Sequence, residues 1–107
     1  MDLLTLTLDH YLTLGAMLFA IGLYGALARR NAVAILMAIE LMFNGVTVTL
    51  VGLSHYIASS VQLLGQLFAV FIITVAAAEA AVGLAIIIAI YRDRKTVEVN
   101  DIDLMKW

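Results

Sequence analysis

The chain contains no cysteine and no proline. The first absence excludes disulfide frameworks, thiolate metal sites and cysteine nucleophiles, so any redox chemistry associated with this protein has to be carried by another polypeptide. The second removes the residue that most often interrupts helices, which suits long unbroken ones. Charge is also scarce. Asp, Glu, Lys and Arg make up 13% of the residues, and the six Lys and Arg are too few and too scattered to form a nucleic-acid-binding face. The opening MDLLTLTLDH carries two aspartates and neither Lys nor Arg. It therefore lacks the basic start of a cleaved signal peptide, and the first apolar segment is expected to remain in the mature protein.

What the chain has in excess is apolar surface. At 107 residues, 64% hydrophobic and with a mean hydropathy of +1.08, it lies well outside the roughly half-apolar composition of soluble domains. Lipid is the solvent this composition implies. Three apolar runs divide it. Residues 11–28 are uncharged and, as a helix, would be about 27 Å long, close to the thickness of a bilayer core. Residues 32–54 follow the break Arg29-Arg30-Asn31 and contain one charge, Glu40. After the polar segment HYIASS, residues 61–91 form a third run, again with one charge, Glu79. Fully helical, this run would measure roughly 46 Å, so the third span is expected over about 62–91, starting between Gln62 and Gln66 or tilting.

The runs are apolar on every face, and three strands could not close a barrel, so helices are predicted rather than strands. The expected architecture is all-α: a single membrane domain, residues 1–107, with three transmembrane helices and a tail, 92–107. All Lys and Arg lie in the first loop (Arg29, Arg30) or in that tail (Arg92, Arg94, Lys95, Lys106). The positive-inside rule then places the N-terminus outside and the C-terminus in the cytoplasm. The tail mixes both signs with a few apolar residues, which suits a segment on the cytoplasmic face or docked on a neighbour.

A carboxyl group inside a span costs a few kcal/mol on insertion scales and cannot recover that cost against lipid. Glu40 and Glu79 are therefore expected to face protein or water. Glu40 falls about 13 Å and Glu79 about 18 Å from the predicted cytoplasmic ends of their helices, both near mid-membrane. A carboxyl in such a place can hold a proton and release it when water or a cation approaches, which is the physics of a relay. Asn44 and Thr47 follow Glu40 by one and two helical turns, so one face of the second helix offers a polar line able to orient water. Around Glu79 the corresponding positions are Val75, Ala76, Val82 and Gly83, so its polar partner has to come from another helix or subunit. The plainer alternative is that both glutamates only fix helix packing.

Other features have ordinary explanations. Gly15, Gly22 and Gly25, and the small residues of VAAAEAAVG, permit close approach of helices. His10 and His55 fall at the outer interface, where capping or anchoring is commoner than proton relay. Tyr11, Tyr56, Tyr91 and Trp107 sit near span ends as interfacial aromatics do. Arg29 and Arg30 either anchor topology or contact an acidic group or water chain at the cytoplasmic mouth.

Two blocks, RRNAVAILMAIELMFNGV (29–46) and GQLFAVFIITVAAAEAAVGLAIIIAIYR (65–92), resemble the NuoK/NdhE family, the small three-helix membrane subunit of complex I and its photosynthetic relatives. The resemblance spans nearly the whole chain and is most specific in these blocks. It implies a membrane-arm subunit of a proton-translocating NADH:quinone oxidoreductase, a translocase in which this chain has no independent catalytic activity and binds no cofactor. Quinone, flavin and iron–sulfur clusters belong to partner subunits. Its neighbours are J-, A- and H-type subunits and antiporter-like N-type subunits, within membrane lipid. By the same match Glu40 and Glu79 correspond to the family's two proton-path glutamates, and Arg29, Arg30 and Asn31 to a cytoplasmic loop that influences coupling. Asn44 and Thr47 would support the path. Thr47 departs from the asparagine, and Gly45 from the alanine, common among relatives. The implied location is a bacterial cytoplasmic membrane ahead of a thylakoid one. Two rivals carry different expectations. A subunit of a multisubunit cation/proton antiporter or membrane-bound hydrogenase would share the plan without a quinone, and a structural scaffold would lose assembly, not coupling, when its glutamates are replaced.

Overall fold

A computed structural model of the protein describes residues 5–56 and 59–102, with only the backbone described over 59–62. Three helices account for nearly all of it: α1 (Leu8–Ala28), α2 (Ala32–Tyr56) and α3 (Ser59–Arg94), followed by a 3-10 turn at Val99–Asp101. Each is long and apolar enough to cross a membrane. There is no strand among the described residues, only an isolated antiparallel bridge between Asn31 and Glu98.

The helices are longer than the apolar runs that mark them. α1 starts at Leu8, ahead of the expected 11–28, because Thr7 and His10 cap it: the Thr7 N–H donates to His10 Nδ1 at 3.0 Å, and the His10 N–H to the Thr7 carbonyl at 3.1 Å. α2 extends past residue 54 to Tyr56, whose hydroxyl donates to the Leu6 carbonyl at 2.9 Å and ties the end of α2 to the segment before α1. As a helix α3 covers the expected 62–91 and continues at both ends, from Ser59 to Arg94, while its candidate membrane span, Leu63–Arg94, begins within the expected window between Gln62 and Gln66. Nothing in SSVQLL opposes a helix, since Ser and Gln are tolerated in one and no Gly or Pro intervenes before Gly65. At 36 residues α3 is about 54 Å long, more than a bilayer core needs, so it tilts or projects beyond the hydrocarbon.

α2 is the central helix, and α1 and α3 each pack against it in antiparallel fashion. The α1–α2 seam is made by glycines. A Cβ on Gly15 would lie 2.8 Å from the Gly45 carbonyl oxygen, one on Gly22 2.6 Å from the Ala38 carbonyl oxygen, and one on Gly45 2.6 Å from the Gly15 carbonyl oxygen. The two backbones are therefore in direct contact, which only residues without a side chain allow. The α2–α3 seam uses small residues on α3: Ala69 and Ala76 are buried, Gly65 lies against Ser54 and Gly83 against Leu36.

α1 and α3 sit on opposite sides of α2, so the molecule is an open layer, not a closed bundle. Ala69 and Ala76 are the only buried hydrophobic side chains among the described residues, whereas Leu27 is 79% and Leu63 66% exposed. An exposed apolar surface of this extent cannot remain in water. Lipid or neighbouring subunits have to cover it, as the composition anticipates.

Candidate functional site

Two contacts set the register of α2 against α3: Leu36 meets Gly83, and Ser54 meets Gly65. A third feature agrees, since Ala32 and Ile87 line the same cavity. One turn onward from Leu36 on α2 is Glu40, and one turn back from Gly83 on α3 is Glu79. Residues four apart share a face of a helix, so the two glutamates stand at the same level on adjacent helices, each in line with a residue that touches the other helix. Glu40 is half-buried and Glu79 exposed. Neither carboxyl group has a hydrogen-bond or ion-pair partner among the described residues. The helices that hold them are unbroken there, and small residues (Ala76, Ala77, Ala78, Ala80, Ala81) flank Glu79 along the chain.

Asn44 and Thr47 share a face of α2 with Glu40 but differ in exposure and bonding. Asn44 is exposed, and the hydroxyl of the half-buried Thr47 donates to its own helix, to the Phe43 carbonyl at 2.9 Å. This back-bond satisfies a hydroxyl inside an apolar helix, and no hydrogen bond joins Glu40, Asn44 and Thr47 among the described residues. Three further hydroxyls of the spans behave alike: Thr49 donates to Gly45, Ser54 to Val51 and Thr74 to Val70.

The loop residues have defined structural tasks. Arg29 ends α1, its N–H donating to the Gly25 carbonyl, and both Arg29 and Arg30 are exposed. Asn31 caps α2: its Oδ1 accepts from the Val33 N–H at 2.9 Å and the Ala34 N–H at 3.2 Å, and its carbonyl accepts from Ile35. The remaining free donor of that first turn, the Ala32 N–H, goes to the Val97 carbonyl at 2.8 Å, and the Val99 N–H returns a bond to the Arg30 carbonyl at 2.9 Å.

The described part of the tail is therefore docked on this chain's own first loop. Residues 92–94 belong to α3, so the tail proper begins at Lys95, whose φ of +60° turns the chain back. Residues 103–107, with Lys106 and Trp107, lie outside the described residues. The part played by Thr96–Val99 escaped sequence reasoning. Asn31 before an apolar run is a legible cap, but the sequence carries no sign of where a tail carbonyl will land.

Arg29, Arg30, Arg92, Arg94 and Lys95, all the Lys and Arg among the described residues, share one end of the helix layer. His10 serves as the cap residue described above. No group of His, Asp and Glu side chains among the described residues is arranged to hold a metal ion.

Residues 10–107 match the family model of NADH-ubiquinone/plastoquinone oxidoreductase chain 4L. Similar proteins include NADH-quinone oxidoreductase subunit K of a Geobacillus species, 58% identical over 92% of this chain and 94% of that one. NAD(P)H-quinone oxidoreductase subunit 4L of a Synechocystis species is 53% identical over 95% and 98%. The organellar chromatophore subunit 4L of Paulinella chromatophora is 51% identical over 97% of this chain and the whole of its own length.

Proposed function

The chain belongs to the NADH-ubiquinone/plastoquinone oxidoreductase chain 4L family, and from that premise we propose that Glu40 and Glu79 together form one step of the proton path through the membrane arm of the complex. The protein is a membrane subunit of an NADH-quinone oxidoreductase of the complex I type, a multisubunit translocase, and electron transfer takes place in other subunits.

The observation that carries the proposal is the juxtaposition itself. Two carboxyl groups stand level on adjacent helices, unpaired within the described chain, where a lipid-facing charge would be strongly unfavourable. A proton reaching one of them has the other as the nearest ionisable group at the same depth. Quinone reduction elsewhere changes hydration or local charge around the pair, so that proton affinity alternates and a proton moves laterally between them. The exposed position of Glu79 directs it to a neighbouring antiporter-like or J-type subunit, which supplies the polar surroundings that its own helix lacks. Asn44 and Thr47 line the approach to Glu40, and Arg29 and Arg30 act at the mouth of the path. The end carrying the loop and tail cations faces the cytoplasm, with the N-terminus outside, in a bacterial cytoplasmic membrane. Quinone, flavin and iron–sulfur clusters are held by partner subunits.

The test is Glu40→Gln and Glu79→Gln in the assembled complex, with proton pumping and electron transfer recorded together. Glutamine preserves size and removes the titrating group, so pumping is expected to fall several-fold while native gels show intact assembly. Near-wild-type pumping in both assembled variants refutes the proposal, and loss of assembly in both supports the scaffold reading instead.

A further inference from the structure

The tail of this protein completes the first turn of α2, and the consequence of that contact reaches the glutamate pair. All four of the leading N–H groups of α2 are satisfied: Val33 and Ala34 by the Asn31 side chain, Ile35 by the Asn31 carbonyl, and Ala32 by the Val97 carbonyl of the tail. The second bond of the bridge, from the Val99 N–H to the Arg30 carbonyl, fixes the tail on both sides of Asn31. The tail is itself braced, since the Glu98 N–H donates to Thr96 Oγ1 at 3.1 Å.

The geometry explains why such a connection has mechanical consequences. Ala32 is level with Ile87, so the residues after Ile87 carry α3 about 10 Å beyond the start of α2. Lys95, in the left-handed region at φ +60°, then reverses the chain, and the tail returns over an apolar cavity of about 220 Å³ lined by Ala32, Ile87, Ile90, Val97, Val99 and Ile102. The start of the Glu40 helix is thereby joined to the end of the Glu79 helix.

The two helix seams differ in how far they resist sliding. On the α1–α2 side, glycine backbones interlock with carbonyl oxygens. On the α2–α3 side the register is set at fewer points, Ser54 against Gly65 and Leu36 against Gly83, with the small, buried Ala69 and Ala76 between them. A slip of one turn would displace Glu79 from Glu40 by about 5.4 Å.

We infer that Thr96–Val99 is a positioning clasp, which holds α3 in axial register against α2 and so keeps Glu79 level with Glu40. The inference rests on the proton-path reading of the pair, and the residues of the clasp touch no proton themselves.

Val99→Pro in the intact complex is the test. Glu98 has φ −78° and ψ 121°, the extended conformation that a following proline requires, and Val99 opens a 3-10 turn, so proline fits while removing the N–H that bonds Arg30. Val99→Ala, which keeps the N–H, is the control. Register is read in a background of Leu36→Cys with Gly83→Cys, cross-linked by a short bifunctional thiol reagent, since the chain has no cysteine of its own. Losing one hydrogen bond should change the ratio of clasped to open forms roughly two- to tenfold. In Val99→Pro both the cross-linking yield and the protons pumped per electron are expected to fall, with electron transfer and assembly preserved, and Val99→Ala should match wild type. Thr96→Ala, which loosens the brace on Glu98, is the milder second variant should the proline prevent assembly, and is expected to move both readouts in the same direction by less.

Unchanged cross-linking in the variants overturns the clasp. So does a fall in cross-linking with the pumping ratio intact while Glu40→Gln and Glu79→Gln pump poorly. Normal pumping in the glutamine variants refutes the proton-path reading instead, and the cross-linking result still reports on the clasp separately.

Discussion

Replacing Gly22 by alanine should separate the helix pair that holds Glu40 in place. The added Cβ would stand 2.6 Å from the Ala38 carbonyl oxygen, 2.6 Å from Met42 Cγ and 2.8 Å from the Met42 backbone nitrogen. The methionine side chain can swing away, but the two backbone atoms belong to the body of α2 and cannot. Non-bonded heavy atoms settle at about 3.5 Å, so α1 would have to recede by nearly 1 Å along the whole seam. Overpacking of this kind costs about 1–3 kcal/mol.

Gly25→Ala, three residues further along the same helix, is the internal control. Its new Cβ would meet only the Ala38 methyl, at 3.1 Å, a contact that a shift of a few tenths of an ångström relieves. The assay is the thermal inactivation midpoint of the membrane-embedded complex, with the assembled fraction read on native gels. Gly22→Ala should lower both, and Gly25→Ala should stay close to wild type. Equal stability of the two variants, or a larger loss in Gly25→Ala, would refute the argument that backbone contact at Gly22 sets the α1–α2 distance.

Asn31→Ala removes the oxygen that accepts from Val33 and Ala34 and is expected to cost about 1 kcal/mol, whereas Asn31→Asp, which caps equally well, should be close to neutral; hydrogen exchange over the first turn of α2 in the assembled complex distinguishes them. Ser54→Cys with Gly65→Cys should form a disulfide on mild oxidation once the helices part by about 1 Å, because the Cβ positions of 54 and 65 stand closer than the roughly 3.5–4.5 Å a disulfide spans, while Leu50→Cys with Gly65→Cys, one turn out of register, should not. A disulfide in the second pair and none in the first would overturn the α2–α3 register and, with it, the common level of Glu40 and Glu79.

Much of this architecture follows from composition and spacing. Three apolar runs of bilayer length, separated by RRN and HYIASS and free of proline, leave three membrane helices as the only economical solution, because every backbone polar group in lipid has to be satisfied within its own segment. Glu40 and Glu79 stand out for the same reason, as isolated charges in runs that otherwise contain none. Residue spacing also makes Gly15, Gly22 and Gly25 legible as contact points. Helix ends were less legible. Thr7 and His10 extend α1, and Ser59 and Arg94 bound α3 well outside its apolar run, because helix propensity and capping continue where hydropathy stops.

Tertiary structure alone decided how these parts meet. Depth along each helix can be counted from the sequence, but the level of one helix against another depends on which small residue receives which larger one. The Leu36–Gly83 and Ser54–Gly65 contacts set that level and align the glutamates. Whether Asn44 and Thr47 bond to Glu40 depends on side-chain orientation, and the Thr47 hydroxyl takes a carbonyl of its own helix. The tail's return to Ala32 and Arg30 is a pairing of backbone groups far apart in the chain, for which side-chain identity gives no code. The sequence by itself therefore determined the solvent, the spans and the two carboxyl groups within them, since these follow from each residue's transfer between water and lipid. The register, the open layer and the clasp depend on steric fit between distant segments, which exists only once the helices are packed.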